Sequence, residues 1–302
     1  MPFGTRTLND GRKIPEIGFG TWKIPQDACN GQVTQGIEVG FDHIDTAQAY
    51  QNEEQTGQAI AAAGLKREEL WVTTKFSGRL GTGASAVRKS CLESLQKLGL
   101  DYIDLYLIHS PRLCDGDIRG TWKEMEKLKK EGLVKSIGVS NFEIKDLKVL
   151  LKHADIKPVV NQILYHPYVS ASTQPLIDFQ DDHDIAFEGY SGLIPLTGRQ
   201  GGPVDKPVDE IAKRLGLQPE QVLLAWSRAK GAIIVTTSSR SDRLTRYLGV
   251  GDVKLTDEDI HSIDKAGRKG EEKEKVWQMC KTAGKVVLLG GLGVYGLAKY
   301  VL

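Results

Sequence analysis

Short apolar runs alternate along the chain with longer stretches in which apolar residues recur every three or four positions. The runs are Ile17–Gly20, His43–Thr46, Trp71–Lys75, Tyr102–His109, Val134–Ser140, Val159–Tyr165, Ile185–Ser191 and Ala232–Thr237. Several are apolar at almost every position, as a parallel strand covered on both faces requires. The stretch Ala84–Leu98 instead sets Val87, Cys91, Leu95 and Leu98 on one stripe, which predicts a helix with one buried side. This alternation predicts an α/β fold with a parallel sheet. The number of units predicts a closed (β/α)8 TIM barrel over residues 17–268, with an open doubly wound sheet as the competing topology. Ahead of it, TRTLNDGRKIP places an Asp-Gly turn between short extended runs, which predicts a β-hairpin over residues 5–16 beneath the barrel. Pro203–Leu217 and Pro219–Lys230 predict a pair of helices before the last strand. No composition break marks a second domain, so residues 1–302 read as one barrel domain with a C-terminal extension, residues 269–302. That extension ends in the apolar stretch Val286–Leu302, short of the ~20 residues that span a bilayer.

Charge and composition narrow the function classes. The 302 residues carry 40 basic and 39 acidic side chains, and 40% are apolar. A disordered chain would be less apolar, and a nucleic-acid binder working through global charge would be clearly basic. Cys29, Cys91, Cys114 and Cys280 are too scattered for a disulfide framework or a metal site. With no secretory-type apolar segment at the start, a cytoplasmic protein with reduced thiols is expected. Neither a metal, a nucleic acid, stable membrane insertion nor an obligate protein partner is expected.

The strand ends carry the chemistry. A TIM barrel concentrates function at the C-terminal ends of its strands. Here those ends hold Asp45, Lys75, His109, Ser140 with Asn141, Gln162, Tyr190 and Thr237, roughly one βα unit apart. Singly, each is an ordinary strand-end residue; in register they describe one convergent site. Asp45, Tyr50, Lys75 and His109 together suit proton transfer to a carbonyl. A free phenol, with pKa near 10, is a poor acid at neutral pH, and an adjacent ammonium is expected to lower that value. Asp45 would hold the charge of a buried Lys75, and His109 would hydrogen-bond the substrate oxygen. A structural Asp45–Lys75 ion pair with a merely packing Tyr50 fits the same residues.

The chain resembles the aldo-keto reductases over roughly residues 5–268. The matching motifs are GFGTW at 18–22, FDHIDTAQAYQNE at 41–53, TTK at 73–75, DYIDLYLIHSP at 101–111, IGVSNF at 137–142, NQ at 161–162 and EGYS at 188–191. The resemblance implies the (β/α)8 barrel with its hairpin. It implies Tyr50 as proton donor, tuned by Lys75 and Asp45, with His109 positioning the carbonyl. The nicotinamide would stack on Tyr190, its carboxamide held by Ser140, Asn141 and Gln162. Gly20, Thr21 and Asp45 would border the cofactor, and Ser191 and Leu193 would cradle the pyrophosphate. Trp22, Ser110 and Trp277 would line the substrate pocket.

Three departures shape the expected specificity. Thr237 stands where the family usually has a lysine before its phosphate-binding serine. Ser238, Ser239, Arg240 and Arg243 remain, and arginine forks at a helix start suit a 2′-phosphate, so NADPH is the expected cofactor. Ser110 replaces the tryptophan that often follows the histidine. With VTTSS at 235–239, this is similar to the fungal α-keto amide and conjugated polyketone reductase branch. It implies reduction of α-keto esters, α-keto amides and cyclic diketones in preference to sugars. Gly192 and Ile194 replace proline and glycine in the loop after the seventh barrel strand, so a full clamp over the cofactor is not expected.

Other motifs point elsewhere. Gly291, Gly293 and Gly296 match a dinucleotide fingerprint, but too few residues follow for a βαβ unit. GYSGL lacks the closing glycine of a nucleophile elbow, which weakens a hydrolase reading. A cofactor-sensing binding protein on a reductase-like barrel is the remaining alternative. The intact Asp45, Tyr50, Lys75 and His109 set argues against it.

Overall fold

The protein is described by a computed structural model covering residues 3–272. Trp277, Cys280 and the apolar stretch 286–302 lie outside the described residues. The hairpin strands β1 (Thr5–Thr7) and β2 (Lys13–Pro15) pair antiparallel. The barrel follows with β3 (Ile17–Gly20), β4 (His43–Asp45), β5 (Trp71–Phe76), β6 (Ile103–Ile108), β7 (Val134–Ser140), β8 (Val160–Leu164), β9 (Ala186–Tyr190) and β10 (Ile233–Thr236). All barrel pairings are parallel, and β10 bonds both β9 and β3. That last pairing closes the ring and excludes the open doubly wound sheet. Each strand run of the sequence is recovered, trimmed by one residue at some ends and lengthened by Phe76 in β5.

Burial on both faces explains why these runs become strands. Every residue of β5 and β6 is buried, one set of alternate side chains facing the ring interior and the other the helices. The helices are α1 (Gln26–Glu38), α2 (Glu53–Ala62), α3 (Ala84–Leu98), α4 (Ile118–Lys130), α5 (Ile144–His153), α6 (Ser170–Asp181), α7 (Ile194–Thr197), α8 (Asp205–Leu215), α9 (Pro219–Ala229) and α10 (Ser241–Leu248). Residues 257–272 are helical as well. The stripe expected on α3 is present, with Val87, Cys91, Leu95 and Leu98 all buried. The paired helices before the last strand are α8 and α9.

The hairpin seals the bottom of the barrel. Leu8 and Ile14 join Trp71, Leu105, Leu107, Val160 and Ile233 in one buried cluster. Polar side chains fasten the hairpin around that plug. The Asn9 amide donates to the carbonyls of Pro158 and Asp184 at 2.9 Å each. Arg12 and Arg67 both reach the Asp104 carboxylate, at 2.7 and 2.6 Å. The C-terminal ends of the strands are thereby left to the opposite end of the barrel.

One connection differs from expectation. The segment after β9, read as a loop, turns at Ser191, which adopts φ 62°, and winds into the short helix α7. Pro195 fits the helix start, where no amide hydrogen is needed, and its side chain is buried.

Candidate active site

The end of β4 delivers Asp45, and the chain then enters a 3-10 turn, Gln48–Tyr50, that carries Tyr50 over the barrel mouth. Gln48 fixes this turn. Its carbonyl oxygen accepts from Ser77 at 3.0 Å and Ser90 at 2.8 Å, and its amide donates to Glu93 at 2.6 Å. Tyr50 is therefore braced against the end of β5 and the face of α3. Sequence reading did not single out Gln48, whose partners are distant in the chain.

Lys75, on β5, is fully buried. Its ammonium donates to Asp45 Oδ1 at 2.7 Å, to Asp45 Oδ2 at 2.8 Å and to the Thr46 carbonyl at 2.8 Å. The Lys75 Nζ lies 5.3 Å from the centre of the Tyr50 ring. His109, just beyond β6, meets Tyr50 edge-on, with ring centres 5.7 Å apart. Four residues from three strand ends are thus brought to one place.

The electrostatic balance departs from expectation at Tyr50. Burial raises the phenol pKa, and Asp45 adds to the rise. Lys75 pulls in the opposite direction, as expected, but does not outweigh burial, so the net shift is upward. Tyr50 stays protonated at neutral pH, the state a proton donor needs. At Lys75, burial disfavours the charge, yet Asp45, Tyr50 and Glu188 together more than offset it and the pKa rises. At His109, burial and the nearby Lys75 charge lower the pKa to about 4, leaving a neutral imidazole able to donate one N–H.

The second half of the ring supplies a polar rim. Ser140 donates to the Gln162 backbone carbonyl at 2.9 Å. The Asn141 amide donates to Ser140 Oγ at 2.9 Å and to the His109 carbonyl at 3.1 Å. The Tyr190 hydroxyl donates to Asn141 Oδ1 at 2.9 Å. Asn141 adopts φ 59°, a left-handed conformation that asparagine tolerates better than most residues. Trp22 is 47% exposed on the rim, its ring 6.3 Å from that of Tyr190. Ser110 opens the 3-10 turn Pro111–Cys114 and lines a cavity of about 630 Å³ together with Arg112, Asn141 and Tyr190.

Several of the expected contact residues are held by packing or by hydrogen bonds within the protein. The Thr21 side chain is fully buried and bonds Thr46 at 2.8 Å, so it ties strand ends together. Gly20 is buried, and a Cβ there would press on Val235 at 3.0 Å. Leu193 is half-buried and packs its side chain against the buried core. Around the start of α10, Thr237, Ser239, Arg240 and Arg243 are exposed and Ser238 is half-buried. Arg240 is occupied by Asp242, at 2.9 and 2.7 Å, whereas Arg243 makes no ion pair among the described residues.

Beneath the site lie polar groups that sequence reading passed over. Glu188, in the middle of β9, and His43, at the start of β4, are fully buried. Glu188 accepts from Gln162 at 2.8 Å, and His43 Nε2 lies 3.0 Å from Thr73 Oγ1. Burial and the adjacent Asp45 charge raise the Glu188 pKa to about 8. The available signal was an ionisable residue inside an otherwise apolar strand, in HID and in AFEGY.

The buried histidines predict acid lability. His43, His109 and His166 all have pKa values lowered to about 4, with burial as the largest cause. The unfolded chain takes up these protons near pH 6.5, before the folded protein does. Their contribution is therefore intact above pH 6.5 and is lost as pH falls toward 4, at up to ~1.4 kcal/mol per pH unit for each histidine. Denaturant unfolding should show a lower midpoint at pH 5 than at pH 7. Equal midpoints would contradict this reading.

Comparison with known proteins gives a consistent result. The sequence model described as "Aldo/keto reductase family" matches residues 16–268. The chain is 36% identical over 258 residues to methylglyoxal reductase DkgA of Escherichia coli (strain K12), covering 85% of this chain and 91% of that protein. An aldo/keto reductase structure from Brucella melitensis superposes with a TM-score of 0.80 at 39% identity, covering 87% of this chain and 97% of that one. A Bombyx mori aldo-keto reductase in complex with NADP superposes with a TM-score of 0.79 at 35% identity, covering 87% and 92% respectively.

Proposed function

The chain belongs to the aldo/keto reductase family and is an NAD(P)H-dependent oxidoreductase, and from the site we propose that it reduces activated ketones and aldehydes with NADPH, Tyr50 serving as proton donor. The observation that carries this reading is the convergence of Tyr50, His109 and the Lys75–Asp45 pair at one barrel mouth.

The rim fits a nicotinamide nucleotide. Gln162 keeps its side-chain carbonyl without a donor among the described residues, so a carboxamide N–H has an acceptor there. The half-buried Tyr190 ring offers an aromatic face, and Ser140 and Asn141 stand beside it. Arg243, free of ion pairs at the start of α10, is the cation that would meet a 2′-phosphate. Arg240 contributes less than its sequence position implies, because Asp242 competes for its guanidinium. A bound dihydronicotinamide supplies the hydride. His109, neutral, donates its N–H to the carbonyl oxygen and orients it. Tyr50 gives its proton to that oxygen as negative charge develops there. The Lys75 ammonium, fixed by Asp45, stabilises the phenolate left behind.

Substrate choice follows from Ser110 and the cavity beside it. A hydroxymethyl side chain, in place of an indole, leaves room next to the carbonyl for a second carbonyl group with its substituent. The methylglyoxal named for the DkgA relative is itself an adjacent dicarbonyl, which favours the same class. A small-molecule carbonyl compound is the partner this reading requires.

The test is a panel of carbonyl compounds followed by NADPH oxidation. Turnover of α-keto esters and diketones should exceed that of xylose in kcat/KM. The reverse order would reject the substrate assignment, and no oxidation with any compound would reject the Tyr50 mechanism. For the cofactor, Arg243→Ala should lower the NADPH-over-NADH ratio of kcat/KM by roughly tenfold, the loss of one charge-assisted phosphate contact. A ratio unmoved by that substitution would remove Arg243 from the phosphate site.

A further inference from the structure

Gln162 and Glu188 are register partners on the adjacent strands β8 and β9, and their side chains meet inside the barrel. The Gln162 amide nitrogen has two hydrogens. It bonds Asp45 Oδ2 at 2.8 Å and Glu188 Oε2 at 2.8 Å, one hydrogen for each. A glutamine amide can be placed either way round, and the network around it decides. Turned over, the Gln162 carbonyl oxygen would face the Asp45 carboxylate and lose that bond, and it would keep a bond at Glu188 only if that carboxyl, with its raised pKa, carried its proton on Oε2. Asp45 alone fixes the amide by one bond, and it already accepts twice from Lys75. Glu188 provides the second bond, from a strand position with no solvent exposure. The other charged or titratable neighbours on this inner face are Lys75 and His43, whose Nε2 is 3.8 Å from Glu188 Oε1.

We infer that Glu188 is a positioning residue that holds the Gln162 amide with its carbonyl available to a ligand, so that the subsite accepts an N–H donor and discriminates against a group that lacks one. This rests on the nicotinamide nucleotide reading above and goes further, since it assigns the polarity of the carboxamide subsite to a residue that does not touch the cofactor. Glu188 stands in the strand run, two residues before Tyr190, so the same strand carries the aromatic ring and the group that orients the amide.

The test compares two ligands on the intact protein. The first is NADP⁺. The second is its 3-acetylpyridine analogue, in which a methyl group replaces the carboxamide NH₂. Dissociation constants are read by quenching of intrinsic fluorescence, without turnover. Wild type should bind the analogue about tenfold more weakly, the worth of one hydrogen bond at its upper end. Glu188→Met keeps the volume and removes the acceptor, and should reduce that difference to about threefold or less. Glu188→Gln keeps an acceptor and should retain most of it.

A difference unchanged in Glu188→Met, with NADP⁺ still bound, would overturn the role of Glu188 and leave the cofactor reading standing. Failure of wild type to bind either nucleotide would overturn the cofactor reading itself. Should Glu188→Met fail to fold, the wild-type protein decides by side-chain amide NMR. The pair of signals missing from Gln162→Met should show both protons protected from exchange in cofactor-free protein. Rapid exchange of either proton would overturn the inference.

Discussion

Replacing Tyr50 with phenylalanine is expected to lower kcat for carbonyl reduction by about three orders of magnitude. The change removes one oxygen atom and leaves the ring that meets His109 edge-on. General acid catalysis by a placed side chain contributes roughly 10²- to 10⁴-fold, and the Tyr50 phenol carries its proton beside the Lys75 ammonium, which can stabilise the anion left behind. His109 is already neutral and donates a hydrogen bond, but a pKa lowered to about 4 means it carries no proton to give away at neutral pH. The upward shift at Tyr50 implies that loss of the phenol proton does not lower wild-type kcat between pH 6 and 9. Rapid-mixing kinetics with NADPH already bound would isolate the chemical step. A Tyr50→Phe rate within threefold of wild type would remove Tyr50 from the reaction.

Replacing Lys75 with methionine is expected to damage both stability and activity. Lys75 is fully buried and makes three hydrogen bonds, two of them to Asp45. Its loss leaves a buried carboxylate without its cation. Breaking such a pair from one side typically costs 3–5 kcal/mol, or about that here. The remaining carboxylate should then be relieved by Asp45→Asn. The double variant Asp45→Asn with Lys75→Met should recover at least half of the lost unfolding free energy while staying inactive. Guanidinium unfolding monitored by circular dichroism measures the first, and NADPH oxidation the second. Equal instability of the single and double variants would mean that the pair does not carry the energy assigned to it. Recovery of activity in the double variant would show that no charge is needed beside the phenol.

The barrel and most of its rim were legible because the physics was local. Runs apolar at nearly every position read directly as strands buried on both faces, and most carried a polar residue at or near the C-terminal end, where a barrel gathers its function. What stayed hidden depends on three-dimensional balance. That Tyr50 would be shifted upward follows from how deeply it is enclosed, which spacing does not give. Arg240 looked free, yet its neighbour Asp242 turns back to hold it once α10 has formed. Thr21 was placed beside the cofactor by motif, and its hydroxyl also bonds Thr46 at the end of the neighbouring strand, a contact that spacing does not give. Glu188 was quoted within a motif but assigned no task, because its partner Gln162 belongs to the neighbouring strand. The closing bonds between β3 and β10 join opposite ends of the barrel sequence, so only the fold could decide between ring and open sheet.

The ring divides its labour by chain order. Asp45, Tyr50, Lys75 and His109 all come from the segments around β4, β5 and β6, while Ser140, Asn141, Gln162, Tyr190 and the α10 arginines come from β7 onward. Proton handling therefore belongs to one arc of the circle and nucleotide recognition to the other, with the Gln162–Asp45 bond as a seam between them. A lineage changing its coenzyme preference would alter the later arc and leave the acid intact, and one changing its chemistry would do the reverse. Substitutions at that seam are the ones for which the two histories cannot be independent.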